Sequence, residues 1–237
     1  MTTKLLPLKL YGLAATNPPK VAFVLEELSL PYEIVPVSHA TVKDPPYLAV
    51  NPNGRMPSLS DPNNNDLTIW ESGAIIQYLI TTYDTDHKLS FSPDSPESWH
   101  ATQYLFFQVS GQGPYYGNGF YFAKFAQPPN DAAVERFIKE AERVTGVLDG
   151  ILAKAEADAV GRKWLVGGKC SYADLAFVPY QLIARLVFKD MGFDEGNFPE
   201  AKKWVDAMFV RESVKKVLSM TEPWKDMGLY ADADVAA

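Results

Sequence analysis

The stretch from Asn51 to Ser72 constrains the fold more than any other part of the chain. Met56-Pro57 opens a short apolar run that predicts a strand, and residues 61–66 are a dense cluster of turn-forming residues. Residues 67–70 predict a second strand, so the two strands form a hairpin. Ser72 then starts a helix as its N-cap. The apolar stripe of that helix is Ile75, Ile76 and Leu79.

This arrangement suits a small peptide-like ligand. If the Met56-Pro57 bond is cis, the Met56 N–H and C=O face outward and can pair with an extended peptide. The helix start at Ser72 offers N–H groups to a carboxylate, and Glu71 can hold an ammonium. Glutathione, through its γ-glutamyl end, has these groups. The alternative is structural, because about 5–6% of X-Pro bonds are cis, Ser72 caps a helix in any case, and Glu71 can simply be solvated.

The N-terminal part of the chain predicts an α/β unit. Residues 8–13 form a first strand, and Asn17 caps a helix whose first position is a proline. Pro31 ends this helix, residues 32–37 form a second strand, and residues 38–50 are irregular. The apolar stripe of the helix is Val21, Val24, Leu25 and Leu28. We therefore expect a thioredoxin-like domain over residues 1–84.

The rest of the chain predicts helices only. Residues 85–98 lack a sustained periodicity and are predicted to be a linker, and residues 99–237 an all-α domain. Asp174 completes a capping box with Ser171, which assigns Asp174 to folding rather than to chemistry. The end of the chain, from Ala231, is expected to be frayed. The predicted helices cover residues 99–107, with a break or kink near 111–114, and residues 131–158, 171–187, 199–209 and 212–218.

Composition excludes several classes of protein. A formal charge of −7 argues against a nucleic-acid-binding protein, since phosphate contacts need a basic surface. No apolar run approaches the roughly 20 residues of a membrane span, and the N-terminal apolar stretch is too short for a secretory signal. Cys170 is the single cysteine, so an internal disulfide framework is impossible. We expect a cytoplasmic protein without a metal.

Two motifs in the first domain carry a family resemblance. Residues 51–57, Asn-Pro-Asn-Gly-Arg-Met-Pro, followed by Trp-Glu-Ser-Gly-Ala-Ile at 70–75, resemble the glutathione S-transferase superfamily. The chain is most similar to the fungal group related to the yeast nitrogen-catabolite-repression regulator. Residues 106–111, 164–167 and 173–179 resemble the second domain of that group. The resemblance extends from about residue 8 to residue 218 and implies the cytosolic glutathione transferase fold.

The resemblance implies a role for the residue that follows the first strand, which activates the glutathione thiol. The matching residue is Asn17, with Thr16 as the second candidate. Asn17 cannot act as a base, but it can donate a hydrogen bond to the thiolate. A side chain that instead caps its own helix cannot face a ligand, and Pro18 departs from the Asn-Gly typical of the group.

The resemblance also implies the remaining contacts. Met56 and Pro57 supply backbone pairing, Glu71 and Ser72 hold the γ-glutamyl end, and Lys43 binds the glycyl carboxylate unless Val42 occupies the equivalent position. The wall of a second-substrate pocket is assigned to Tyr115, Tyr116 and Phe120.

The resemblance implies a homodimeric glutathione transferase. Its bound thiolate attacks an electrophile or a peroxide, and glutathione peroxidase or disulfide-bond reductase activity is a further possibility. The alternative is a non-catalytic glutathione-binding carrier or regulatory protein. The yeast regulator has a long Asn/Gln-rich N-terminal extension, whereas only about seven residues precede the first strand here, which disfavours regulation in that mode.

Overall fold

The computed structural model describes residues 4–221 and divides them into two compact units. One unit comprises residues 4–88 and 211–221, and the other comprises residues 89–210. This division differs from the expected domains, because the last described helix is grouped with the N-terminal unit. The predicted fraying from Ala231 lies outside the described residues.

The first unit is a mixed α/β structure. Its four-stranded sheet has the order β2-β1-β3-β4, with β1 parallel to β2 and antiparallel to β3. β3 and β4 form the predicted antiparallel hairpin, in which Ser58 pairs with Trp70. The elements are β1 (Leu8–Tyr11), α1 (Pro18–Glu27), β2 (Tyr32–Val35), α2 (Pro45–Leu48), β3 (Ser58–Asp61), β4 (Leu67–Trp70) and α3 (Ser72–Tyr83).

The second unit is helical. Its elements are α4 (Pro96–Phe107), α5 (Gly113–Lys124), α6 (Asp131–Lys154), α7 (Tyr172–Leu186) and α8 (Pro199–Phe209), and α9 (Glu212–Ser219) follows in the first unit. A π-helical turn at Gln108–Gln112 joins α4 to α5, where the break was predicted. Helix α7 is the central helix, because nearly all of its residues are buried. The predicted fold class is confirmed.

Most differences from the predicted elements concern their ends. The first two strands are shorter than expected, and α4 begins at Pro96 within the predicted linker. The segment predicted to be irregular contains the short α2, which begins at Pro45 because proline suits the first turn of a helix. The capping box of α7 is confirmed: the Ser171 N–H donates to the Asp174 carboxylate over 2.8 Å.

A buried carboxylate joins α9 to α1. The Glu27 side chain is only 9% exposed, and Arg211 Nε donates to its Oε1 over 2.7 Å. The Ser213 hydroxyl donates to the same oxygen, and Lys88 lies beside the other. Burial raises the pKa of Glu27, but the hydrogen bonds from Arg211 and Ser213 and the neighbouring positive charges outweigh it, so the pKa lies below its ordinary value of 4.5.

We expect Glu27→Gln to destabilise the first unit, because Arg211 then stays half-buried without its counter-charge. The free energy of unfolding at neutral pH should fall by about 3 kcal/mol, the low end for a broken buried pair. A lowered pKa means that Glu27 contributes stability above its ordinary pKa and loses it as the pH falls. The variant should therefore lose less stability between neutral and acidic pH than the wild type, as measured by urea unfolding.

Glu135→Gln is the control, since Glu135 is exposed on α6 and pairs only with an exposed lysine one turn away. Its urea midpoint should match the wild type. An unchanged midpoint for Glu27→Gln at neutral pH would contradict the assigned role of the buried carboxylate.

Candidate functional site

A pocket in the first unit gathers residues from three separate parts of the chain. They come from the start of α1, from the loop that precedes β3 and from the start of α3. The lining residues are Asn17, Asn51, Arg55, Met56, Pro57, Glu71 and Ser72. Five of them are residues that the sequence predicts to bind a ligand.

The Met56-Pro57 bond is cis and lies immediately before β3. The Met56 side chain is buried and clusters with Val42 and Tyr47. Within residues 4–221, the backbone N–H and C=O of Met56 have no hydrogen-bond partner. These groups are therefore available to pair with an extended ligand.

Hydrogen bonds fix the loop that carries Arg55. The Arg55 carbonyl accepts from the Tyr47 hydroxyl over 2.8 Å and from Asn51 Nδ2 over 2.7 Å. The Asn51 side-chain oxygen in turn accepts from the Asn53 N–H over 2.9 Å. With its backbone held in this way, the exposed Arg55 brings a positive charge to the pocket lining.

The start of α3 differs in one respect from the prediction. Glu71 occupies the N-cap position, with φ of 72°, and Ser72 is the first helical residue rather than the cap. The Glu71 carbonyl accepts the first helical hydrogen bond, from the Ile75 N–H over 2.9 Å. A positive φ at a non-glycine residue costs about 1–3 kcal/mol and is typical of functional sites. It places the Glu71 side chain, the Ser72 hydroxyl and the N–H groups of the first turn around one pocket.

Asn17 is the N-cap residue of α1, but its side chain makes no capping hydrogen bond to the helix. The alternative in which this amide is used up by its own helix is therefore not realised. Pro18 and Pro19 follow and carry no N–H, and the Lys20 N–H donates to the Asn17 carbonyl. Asn17 carries a side-chain amide at this helix start and lines the pocket.

Three residues at the pocket were not predicted from the sequence to bind a ligand, and Arg55 was interpreted as a structural or interface contact. Asn51 and Arg55 stand beside the predicted Met56 and line the same pocket. Lys20 is buried in the first turn of α1, with its Nζ 3.4 Å from Ser72 Oγ. Its position one helical turn after Asn17 was the available signal, because residues three apart lie on the same face of a helix.

Lys43 and the runner-up residues lie elsewhere. Lys43 is exposed and is not among the lining residues. Its Nζ donates to the Asn53 carbonyl over 2.9 Å. Val42 is buried against Met56 and supports the pocket from behind. Thr16, the second candidate for the thiol contact, is half-buried and is not among the lining residues.

The aromatic residues predicted to line a second-substrate pocket belong to the helical unit. Tyr116 is fully buried, and its hydroxyl donates to the Ala141 carbonyl over 3.0 Å and contacts Thr145 Oγ1 at 2.7 Å. The assignment of Tyr116 to a pocket wall is therefore wrong, because the residue is part of the core. Tyr115 and Phe120 are half-buried, and their assignment stays a prediction.

The described residues contain no group of three or more His, Cys, Asp and Glu side chains that could hold a metal ion. Cys170 is buried in the helical unit and is not part of the pocket. Between residues 4 and 221, no helix is both long and apolar enough to cross a membrane.

Comparison with known proteins finds matches to both parts of the chain. The family model of the glutathione S-transferase N-terminal domain matches residues 10–87, and that of the C-terminal domain matches residues 114–212. The chain is 53% identical to the glutathione S-transferase-like protein gedE of Aspergillus terreus, over 93% of this chain and 98% of that protein.

Two solved structures are also similar to this chain in sequence and in fold. The glutathione transferase URE2P6 of Phanerochaete chrysosporium, in complex with oxidized glutathione, is 40% identical, with a TM-score of 0.81 over 93% of this chain and 96% of that one. The nitrogen regulation fragment of the yeast prion protein Ure2p is 34% identical, with a TM-score of 0.79 over 92% and 99%.

The packing of Met56 predicts that Gly12 cannot be replaced by a residue with a Cβ atom without loss of stability. Gly12 has φ of +76°, and a Cβ there would lie 2.3 Å from Met56 Sδ. We expect Gly12→Ala to displace Met56 and to lower the free energy of unfolding, by about 1–3 kcal/mol for the steric conflict alone. Urea unfolding measures the loss.

Gly161→Ala is the matched control, because Gly161 also has a positive φ but has no atom within 4 Å of the added Cβ. It should lose less stability than Gly12→Ala. Adding Met56→Ala to Gly12→Ala should recover part of the steric cost, so the two substitutions should not be additive. Equal losses in the two glycine variants would show that Met56 is not displaced.

Proposed function

Because this chain belongs to the glutathione S-transferase family, we propose that it binds glutathione in the pocket of the first unit and activates the thiol for transfer. The observation that carries the proposal is the convergence of Asn17, Met56, Glu71 and Ser72 on one pocket. These four residues offer a side-chain donor, a pairing backbone, a negative charge and a hydroxyl beside a helix start. Glutathione has a partner for each of them.

In this proposal the ligand lies along the pocket with its γ-glutamyl end at α3. Glu71 holds the ammonium, and Ser72 with the N–H groups of the first turn of α3 holds the adjacent carboxylate. The backbone of Met56 pairs with the peptide-like centre. Arg55 is better placed than Lys43 for the glycyl carboxylate, because Arg55 lines the pocket and Lys43 is bonded to a backbone carbonyl.

Asn17 stabilises the thiolate in the proposed mechanism. A hydrogen bond to a charged group contributes about 1.5–3 kcal/mol, and a helix N-terminus adds about 0.3–1 kcal/mol. At 1.36 kcal/mol per pKa unit, the two lower the thiol pKa from about 8.5 by roughly one to three units. The bound thiol is then substantially ionised at neutral pH.

The thiolate attacks a carbon of an electrophile and forms the carbon–sulfur bond of a glutathione conjugate. In a substitution the leaving group departs with the electron pair of its broken bond; in an addition the electron pair of the double bond moves to the neighbouring carbon, which is then protonated. The same thiolate can attack a peroxide oxygen, which breaks the O–O bond and releases an alkoxide or hydroxide, or a disulfide sulfur, which breaks the S–S bond and releases a thiolate. In both cases a second glutathione then attacks the modified glutathione sulfur, so oxidized glutathione is formed and the peroxide or disulfide is reduced. Peroxidase and reductase activities therefore belong to the same proposal. Tyr115 and Phe120 remain the candidates for contact with the second substrate.

A non-catalytic function is the second candidate. It is favoured by the similarity to Ure2p, whose solved fragment is described as a nitrogen regulation fragment. The two functions differ in one measurable respect: a carrier needs affinity for glutathione, but it does not need to lower the pKa of the thiol.

We expect Asn17→Ala to raise the thiol pKa of bound glutathione toward that of the free thiol. The ultraviolet absorbance of the thiolate, titrated with pH in wild type and variant, measures this pKa. The wild type should show a value about one to three units below 8.5, and Asn17→Ala should lose most of that difference. Conjugation of a chromogenic electrophile at neutral pH should fall with the fraction of thiolate.

Thr16→Ala is the matched control, and it should keep the lowered pKa. If Thr16→Ala raises the pKa and Asn17→Ala does not, the roles of the two residues are reversed. If glutathione binds with an unshifted thiol pKa in the wild type, the transferase proposal fails and the carrier function is supported.

We further propose that the protein is a homodimer, as its family resemblance implies. Helix α4 supports this proposal, because Trp99 and Phe106 are each 62% exposed and lie two turns apart on one face of the helix. Large apolar groups left exposed in this way are typical of association surfaces.

Phe106→Glu should convert the dimer to a monomer, since a charge would be buried at the interface. Light scattering coupled to gel filtration measures the mass in solution. Val160→Glu is the control, because Val160 is comparably exposed but lies in a loop. A wild-type protein that elutes as a monomer would contradict the proposal.

A further inference from the structure

Lys20 is a lysine in an unusual place. Its side chain is 1% exposed, in the first turn of α1, and its Nζ lies 3.4 Å from the Ser72 hydroxyl. A buried ammonium is unfavourable unless other groups compensate for its charge. The assigned roles of Asn17, Met56, Glu71 and Ser72 make no use of Lys20, which lies next to two of these residues.

The charge of Lys20 depends on its surroundings. Burial lowers the pKa of Lys20 to about 7, although the carboxylate of Glu71 acts in the opposite direction. Near neutral pH the ammonium and the neutral amine are thus both populated in the absence of a ligand.

Other charged groups near α1 are engaged elsewhere. Glu26 and Glu27 lie at the opposite end of the helix, where they pair with Lys216 and Arg211 of α9. On the side of α3, Tyr78 and Tyr83 each donate a hydrogen bond to the Asp61 carboxylate, and Arg55 lines the same pocket as Glu71. The carboxylate of Glu71 is therefore the neighbouring charge that favours the protonated form of Lys20.

The protonation state of Lys20 determines which hydrogen bonds Ser72 can make. An ammonium has donors only, so toward Lys20 the Ser72 oxygen must accept. The single hydroxyl hydrogen of Ser72 is then free to point into the pocket. A neutral amine can accept this hydrogen instead, which turns the donor of Ser72 away from a ligand.

We propose that Lys20 is a positioning residue for the carboxylate at the γ-glutamyl end of glutathione. Its ammonium directs the Ser72 hydroxyl toward that carboxylate and supplies a positive charge beneath it, while Glu71 faces the ligand ammonium. This inference rests on the proposed binding of glutathione and extends it, because it assigns the recognition of the carboxylate to a residue of α1 as well as to α3.

Proton uptake on binding follows from this arrangement. The ligand carboxylate favours the charged form of Lys20, so binding raises the pKa of Lys20. Near pH 7 about half of the unliganded protein carries the proton and nearly all of the complex does, so binding takes up about half a proton. The affinity should therefore fall as the pH rises through this range.

The experiment uses S-methylglutathione, because its blocked sulfur cannot ionise and release a proton of its own. Isothermal titration calorimetry near pH 7, in two buffers of different ionisation enthalpy such as HEPES and imidazole, gives both the affinity and the number of protons exchanged. The wild type should take up about half a proton per ligand.

Lys20→Met keeps the length of the side chain and removes the charge. It should abolish the proton uptake, so the affinity should no longer depend on pH in this range. At slightly acidic pH it should weaken binding by about tenfold, as expected for the loss of a hydrogen bond to a charged group. Lys20→Gln should regain part of the affinity through its amide donor but none of the proton uptake.

Lys9→Met is the control, because Lys9 is an exposed lysine on β1, and it should match the wild type in both readouts. In a double-mutant cycle, Ser72→Ala should remove the part of the effect of Lys20→Met that acts through that hydroxyl, so the two losses of affinity should be less than additive.

Two results would overturn the inference about Lys20 while leaving glutathione binding intact. One is a wild type that binds S-methylglutathione without taking up protons, a result that requires no variant to fold. The other is a Lys20→Met protein with wild-type affinity and proton uptake. Failure of the wild type to bind both glutathione and S-methylglutathione would instead overturn the proposed function, and this inference with it.

Discussion

Helix α1 is buried along nearly its whole length, and the site depends on how that helix is held. Residues 21–25 are completely buried, and the helix packs against β1, α3 and α9. At its C-terminal end the carboxylate of Glu27 is bonded to Arg211 of α9. At its N-terminal end Asn17 and Lys20 meet the pocket and the start of α3. Since a close-packed helix cannot shift without disturbing its neighbours, the position of Asn17 is determined by contacts along the whole helix.

The two helix starts at the pocket contribute different kinds of donor. Helix α3 begins with Ser72, whose first-turn N–H groups are available to a carboxylate. Helix α1 begins with two prolines, which have the right φ for a helix but lack the N–H. The dipole of α1 still favours an anion at its N-terminus, but its hydrogen bond must come from a side chain. In the proposed site the Asn17 amide takes the place of donors that Pro18 and Pro19 do not have.

Much of the fold and of the pocket is local in sequence, and that part could be predicted. The turn at residues 61–66 specified the β3–β4 hairpin, and the apolar stripe of α1 identified its buried face. Met56, Pro57, Glu71 and Ser72 were identified because the motifs around Met56 and Glu71 carry both the local structure and the family resemblance, and Asn17 was identified from the helix start that follows β1.

The missed features depend on contacts between distant parts of the chain. Lys20 and Ser72 are 52 positions apart, and Arg211 and Glu27 are 184 apart. Periodicity indicates which face of a helix is buried, but not which element covers it, so the packing of α9 against α1 was not predicted. Tyr116 was misassigned for the same reason: an aromatic residue at helical spacing fits a core as well as a pocket wall.

The balance of charges in the pocket is the final constraint on a ligand. Glu71 is negative, Arg55 is positive, and Lys20 adds a buried charge that is present near neutral pH only in part of the molecules. A purely anionic ligand would be repelled by Glu71, and a purely cationic one would be repelled by Arg55 and by the ammonium form of Lys20. A ligand that carries an ammonium and a carboxylate on one carbon satisfies Glu71 and the Lys20–Ser72 pair together, and a second carboxylate satisfies Arg55. The γ-glutamyl peptide meets each of these requirements, so the charges of the pocket favour this zwitterion over simpler anions and amines.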